Sequence, residues 1–205
     1  MRHTPKQAYD HMKPDPENDN LFPLSRGPQP VENLVAQAWK NGGGLTRVIV
    51  SGEEWRLSVA EITQDGAFSR FPGISRQIAL LTGQGVRLRL SDGTEWEVVR
   101  VGEILTFSGD LDVEAVLVDG PVQVVNLMHP ADRPWRMEAV RGGDASGFEV
   151  SAARAVVVAR GRWVFEGASG QPRTCVAGAY LVLPEGSGGR LESDGDGLLY
   201  CVAPG

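Results

Sequence analysis

From Thr46 onward the chain is a succession of short apolar runs, rich in Val, Ile, Leu and aromatic residues, separated by clusters of Gly, Asp and Ser. Helical periodicity is nearly absent, and β-branched runs bounded by turn residues read as strands. The pattern predicts strands over Thr46–Val50, Trp55–Ile62, Gln77–Thr82, Val86–Leu90, Glu95–Val101, Ile104–Phe107, Glu114–Val118, Val122–Leu127, Trp135–Val140, Ala155–Ala159, Trp163–Glu166, Gly178–Leu183 and Leu198–Val202. So many short strands with turns between them predict an all-β sandwich or barrel.

Sliding the chain against itself exposes an internal repeat. At an offset of 76, the segment Ile78–Gly85 lies over Arg154–Gly161 and Gly102–Phe107 over Gly178–Leu183; at an offset of 75, Asp119-Gly120 lies over Asp194-Gly195 and Val122–Met128 over Gly197–Ala203. Both halves read strand, Gly turn, strand, Gly, strand, Asp-Gly turn, strand. That order resembles the cupins, in which glycines turn the corners between the two sheets of a small barrel. The expected architecture is therefore two cupin-like (double-stranded β-helix) barrels in one compact bicupin. Residues 1–30, with six prolines and little apolar periodicity, read as an irregular arm; residues 31–130 read as the first barrel and 131–205 as the second.

Charge narrows the function classes. With 26 acidic against 20 basic residues the formal charge is −6, which gives no general attraction to nucleic acid or an anionic bilayer. There is no apolar run of membrane-spanning length and no signal-peptide pattern near Met1, so the expectation is a cytoplasmic protein with neither nucleic-acid nor membrane partners. Cys175 and Cys201 sit in apolar runs without CxxC spacing and read as small core hydrophobes. A transition-metal centre of the histidine-rich kind is not expected, because His3 and His11 fall in the arm and only His129 in the folded body. His129, just after a strand and before Pro130, reads as a loop histidine, with a lone rim acid or base as the alternative. No cofactor is expected.

Three segments carry candidate chemistry. Trp39-Lys40-Asn41-Gly42-Gly43-Gly44-Leu45-Thr46 is either a plain turn or an anion-holding nest of backbone N–H groups. In Trp55–Ile62, strand alternation puts Arg56, Ser58 and Ala60 on one face and Leu57, Val59 and Glu61 on the other; the first face is either a polar stripe or a guanidinium grip for a carboxylate. The connection from Gln64 to Arg76 holds Phe68, Phe71 and two arginines, the second immediately before a strand.

These motifs together, with Phe107-Ser108-Gly109-Asp110 and Asp119-Gly120-Pro121-Val122 followed by Asn126-Leu127-Met128, resemble the HutD/Ves family of bacterial cupin-like proteins. The resemblance runs from Trp39 to Met128 and departs at Ser108, at Val124-Val125 and at His129-Pro130. It implies a bicupin associated with histidine catabolism, without established catalysis, with a regulatory role through binding a small carboxylate such as formylglutamate. The candidate ligand-binding set is Lys40, Asn41, Thr46, Arg56, Ser58, Glu61, Phe68, Phe71, Arg76 and Asn126, with Trp39 as a further wall. Two alternatives stay open: a metal-independent isomerase-like enzyme using Glu61 or Asp110 as base and Lys40 or His129 as acid, and an interaction module docking through its arm. A homodimer is also left open.

Overall fold

The structure, a computed structural model, describes residues 27–205 apart from 144–146, 151, 168, 169 and 194. The expected arm lies, up to residue 26, outside the described residues. Regular structure is nearly all strand: β1 (Gln29–Pro30), β2 (Ala36–Ala38), β3 (Gly44–Ser51), β4 (Arg56–Ile62), β5 (Gly66–Ala67), β6 (Ile74–Thr82), β7 (Val86–Leu90), β8 (Glu95–Val98), β9 (Ile104–Ser108), β10 (Val113–Leu117), β11 (Val122–Pro130), β12 (Trp135–Arg141), β13 (Phe148–Glu149), β14 (Ala155–Arg160), β15 (Arg162–Gly167), β16 (Pro172–Val176), β17 (Ala179–Val182), β18 (Gly189–Ser193) and β19 (Leu198–Pro204). One 3-10 turn spans Val31–Asn33. No helix among the described residues is long and apolar enough to cross a membrane.

Every expected strand is present, with ends displaced by at most three residues. The strands that periodicity did not announce are short edge pieces (β1, β2, β5, β13) and the pair β16 and β18. In β16 only Cys175 is buried, and in β18 only Leu191. One buried residue per strand leaves no alternation to read.

The chain divides into two units, and each is built from two antiparallel sheets. The first, Val35–Pro134 among the described residues, has a six-stranded sheet in the order β2-β3-β4-β11-β6-β9 and a four-stranded sheet β5-β10-β7-β8. The second, Trp135–Gly205 together with residues 27–34, has sheets β1-β17-β14-β19-β12 and β13-β18-β15-β16. The orders β4-β11-β6-β9 and β12-β19-β14-β17 correspond strand for strand, as do the two four-stranded sheets. The division falls after Pro134 rather than at residue 130, and residues 31–34, expected in the first barrel, belong with the second. There the Val31 N–H donates to the Gly178 carbonyl (2.9 Å) and β1 pairs with β17.

Within the first unit, Ile62, Ile78, Leu80, Val86, Leu88, Val98, Leu105, Val122 and Val124 form the core between its sheets. In the second unit Val156, Val158, Trp163, Phe165, Leu181, Leu191, Leu199 and Cys201 do so. Cys175 and Cys201 are free and buried, and burial pushes their thiols up to about 11 and about 12. They behave as the small hydrophobes expected.

The corner between β6 and β7 is made by Gly83-Gln84-Gly85. Gly85 has φ +117°, and a Cβ there would stand 2.8 Å from the Val98 carbonyl oxygen. Such backbone is essentially closed to side-chain-bearing residues. Gly85→Ala is expected to cost about 2 kcal/mol or more, read as a lowered denaturant midpoint. Gly188→Ala, where a Cβ meets nothing within 4 Å, should stay within about 0.5 kcal/mol of the parent.

Candidate functional site

The inner face of the six-stranded sheet is organised in rows, because antiparallel pairing sets residues directly opposite one another. In the first row Arg56 of β4 faces Met128 of β11, Met128 faces Arg76 of β6, and Arg76 faces Phe107 of β9. In the next, Ser58 faces Asn126, Asn126 faces Ile78 and Ile78 faces Leu105. A third row, Ala60, Val124 and Leu80, is apolar. Two rows bearing charge and polarity thus lie over an apolar floor inside the barrel.

A cavity of about 510 Å³ opens there, within the usual size range of small-ligand sites. Its lining includes Trp39, Lys40, Asn41, Thr46, Arg56, Ala60, Phe68, Ser69, Arg70, Phe71, Arg76, Ile78, Val124, Asn126 and Met128. Four of the lining residues are cationic and none is Asp or Glu. The local charge is therefore opposite in sign to that of the whole chain.

Arg76 is 7% exposed. Its Nε and Nη2 both donate to Asn126 Oδ1 (3.4 and 3.3 Å), and Nη1 donates to the Ser69 carbonyl (3.5 Å). Its Cζ lies over the rings of Phe68, Phe71 and Phe107 at 5.2, 5.4 and 5.1 Å, inside cation–π range. Arg56 donates from Nη1 to Ser58 Oγ (3.5 Å) and approaches Met128 Sδ (3.7 Å). Among the described residues neither guanidinium has a carboxylate partner, and the neutral bonds they make are long. Burial and the positive charge of Arg56 bring Arg76 down to about 10, and burial lowers Arg56 in the same direction.

The remaining wall is braced by Trp39. Its Nε1–H donates to Thr46 Oγ1 (2.8 Å), and its ring meets Phe68 edge-on with centroids 5.9 Å apart. Asn41 Nδ2 donates to the Ala67 carbonyl (3.3 Å), which ties the glycine turn to the segment carrying Phe68.

Of the candidate residues, Lys40, Asn41, Thr46, Arg56, Phe68, Phe71, Arg76 and Asn126 line the cavity. Ser58 is fully buried and touches it only by accepting from Arg56. Glu61 does not belong to it. Strand alternation turns Glu61 to the opposite face, where it pairs with Arg47 (3.4 Å). Nor do the glycines 42–44 form an anion nest: the Gly43 N–H is taken by Asn41 Oδ1 (3.1 Å) and the Gly42 N–H by the Trp39 carbonyl (3.0 Å).

His129 is a strand residue rather than a loop histidine. It lies near the end of β11, 4% exposed. The Pro130 carbonyl (2.9 Å) accepts from Nδ1–H, which leaves Nε2 to accept from the Gln77 amide (3.3 Å). Asp110 is exposed and accepts from the Gly73 N–H (3.2 Å). None of Glu61, Asp110 and His129 lines the cavity, so of the acid–base groups named for the enzyme reading only Lys40 lies there. Among the described residues no group of three His, Cys, Asp or Glu side chains converges as metal ligands do. Sequence reasoning missed Met128 and Arg70 as lining residues. Alternation from Asn126 by two positions points to Met128, whereas an exposed arginine on a connection gives no periodic signal.

A two-sheet antiparallel barrel with a ligand-sized cavity between its sheets is a cupin. A cupin barrel protein from Leptotrichia buccalis, 9% identical, superposes with a TM-score of 0.61 over 90% of this chain and 99% of that one, which shows the fold. The chain belongs to the HutD family, whose profile matches residues 31–201. An uncharacterized 21.2 kDa protein from the hutC 3' region of Pseudomonas putida is 40% identical over 46% of this chain and 53% of its own length. Protein Ves of Citrobacter koseri is 34% identical over 50% and 57%. The matches thus span little more than half the length of these relatives. HutD from Pseudomonas fluorescens, solved in a formate condition, is 25% identical with a TM-score of 0.65, covering 87% of this chain and 98% of that one.

The lowered basicity of Arg76 has a testable consequence. An anion held by its charge is expected to bind with constant affinity below a pH of about 10 and to weaken as pH rises through that value, where the guanidinium loses its proton. Anion binding favours the charged form, so the transition should move upward at saturating anion. Titration calorimetry across the alkaline range checks both points.

Proposed function

We propose that the chain is a carboxylate-binding regulatory protein in which the first of two cupin barrels holds the ligand. The observation that carries this reading is the pair of arginines, Arg56 and Arg76, set toward one cavity with neutral, weak partners and no acid. Burying a cation without a counter-ion costs several kcal/mol, and a carboxylate from solution supplies the missing charge through short, charge-assisted bonds. Asn126 Oδ1 accepts from Nε and Nη2 of Arg76 and the Ser69 carbonyl from Nη1, which leaves one further N–H on each Nη nitrogen. That spacing matches the two oxygens of a carboxylate.

In the second barrel the β12 positions that correspond to Arg56 and Ser58 hold Arg136 and Glu138, which pair with each other (2.8 Å), and Val156, Val158, Trp163, Leu181, Leu199 and Cys201 fill the interior. The hutC-region relative supports a place beside histidine catabolism; a formylglutamate-like ligand and a cytoplasmic location belong to the same proposal.

Formate, acetate, glutarate and N-formylglutamate, titrated into the protein by calorimetry, form the test. At least one should bind saturably and raise the thermal midpoint by mass action. Arg56→Gln and Arg76→Gln are each expected to weaken that binding about tenfold to a hundredfold, the loss of one or two charged hydrogen bonds. A parent protein indifferent to all four acids would refute the reading.

A further inference from the structure

The row that brings the two arginines to the cavity ends on a side chain that does not line it. Phe107 stands on β9 directly across the ladder from Arg76, is 6% exposed, and brings its ring closest to the guanidinium, 5.1 Å from Cζ against 5.2 Å for Phe68 and 5.4 Å for Phe71. Phe68 and Phe71 line the cavity themselves, on the connection between β5 and β6, and any ligand would touch them. Phe107 is different: whatever it does for a ligand, it does through Arg76.

We propose that Phe107 is a positioning residue for carboxylate binding, one that fixes the Arg76 guanidinium so that its Nη1–Nη2 edge is presented to the anion. The inference rests on the carboxylate reading of the cavity and adds a residue to it.

An arginine stem is flexible, and ordering it costs conformational entropy at each binding event unless the site orders it beforehand. Here the hydrogen bonds that orient the head are long, at 3.3 to 3.5 Å, and all are donated to neutral acceptors. They are too weak to hold a buried guanidinium alone. The ring face opposite supplies a desolvated cation–π contact without offering an acceptor. It therefore restrains the head and leaves its donors open. An acidic residue at the same position would hold Arg76 more firmly and neutralise it, closing the site. Cross-strand pairing makes the restraint rigid, since β9 and β6 are bonded from Ser75–Ser108 to Ala79–Ile104.

The test compares Phe107→Leu, Phe107→Met and Phe107→Tyr with the parent protein, by calorimetry against formate and glutarate, with the thermal midpoint of each variant recorded. Leu and Met keep apolar volume and remove the ring; Tyr restores it. Loss of one desolvated cation–π contact predicts about fivefold to thirtyfold weaker binding in the Leu and Met variants, and recovery to within about threefold in the Tyr variant. If Leu fails to fold, Met and Tyr carry the comparison. Parent-like affinity in a folded ring-less variant, or a folded Tyr variant as weak as the ring-less ones, would overturn the inference while leaving the cavity reading intact. A parent protein that binds none of formate, acetate, glutarate and N-formylglutamate would overturn both.

Discussion

Two uncompensated guanidiniums on one sheet face are the constraint around which the first unit is arranged. Arg56 and Arg76 lie two strands apart, roughly 10 Å of backbone separation, where unit charges at an effective protein dielectric repel by on the order of 1–2 kcal/mol. Desolvation adds more. The structure offsets this cost with groups that are attractive to a cation and yet not anionic: three phenylalanine rings, the Asn126 amide, the Ser58 hydroxyl, the Ser69 carbonyl and the Met128 thioether between the two. Each of these partners can be outcompeted by a carboxylate. An acid at any of those positions would instead pair with the nearby guanidinium and neutralise it.

The same row explains why the connection from Gln64 to Arg76 is long and aromatic. Phe68 and Phe71 must leave the sheet and return over Arg76, and they are tethered on the way. The Phe68 N–H donates to the Val113 carbonyl and the Phe71 N–H to the Gly109 carbonyl (both 2.8 Å). Gly109 is indispensable to that second bond because a Cβ there would lie 2.4 Å from the Phe71 carbonyl oxygen. The turn Trp39–Gly44 closes the opposite wall for a related reason. A Cβ on Gly44 would meet the Glu61 carbonyl oxygen at 2.3 Å and the Trp39 ring at 3.2 Å, so the glycine lets Trp39 fold over its own strand to reach Phe68. What looks in sequence like a phosphate-cradling loop is a packing device for an aromatic wall.

How much of this was legible before the coordinates depends on burial. Strands β4, β6 and β11 carry dry side chains on both faces: Leu57, Val59, Ala79, Leu81, Val125 and Leu127 are buried alongside Ile78, Leu80 and Val124. Unbroken apolar runs of that kind reveal a strand but hide its inward face. Only Arg56 and Ser58, polar at successive inward positions, give the alternation away. Glu61 stands among the candidate ligands for its residue type alone, since its odd offset from Arg56 already assigns it to the other face, where Arg47 meets it. His129 was read as a loop residue since Pro130 commonly ends a ladder, yet β11 runs through both. Phe107 was visible as one residue of a motif but not as a neighbour of Arg76, because that contact depends on a register between β6 and β9 that no local pattern states.

The correspondence of sheet orders between the two units makes the location of the site a question of side chains, since the backbone plan is common to both. Where β11 carries Asn126 and Met128 toward the interior, β19 carries Cys201 and Ala203, and Cys201 joins Leu199 in an apolar cluster with Val156 of β14 and Leu181 of β17. Trp163, fully buried, supplies the bulk that fills the space. A barrel so filled gains burial, about 25 cal/mol per Å² of apolar area removed from water, and gives up the concavity a ligand needs. The first unit forgoes that gain over two rows of its larger sheet, where Arg76 is buried and Arg56 half-buried. The two units share one plan, and they differ in that the inward arginines of the first have no carboxylate partner among the described residues, whereas in the second Arg136 pairs with Glu138 and Arg154 with Glu185.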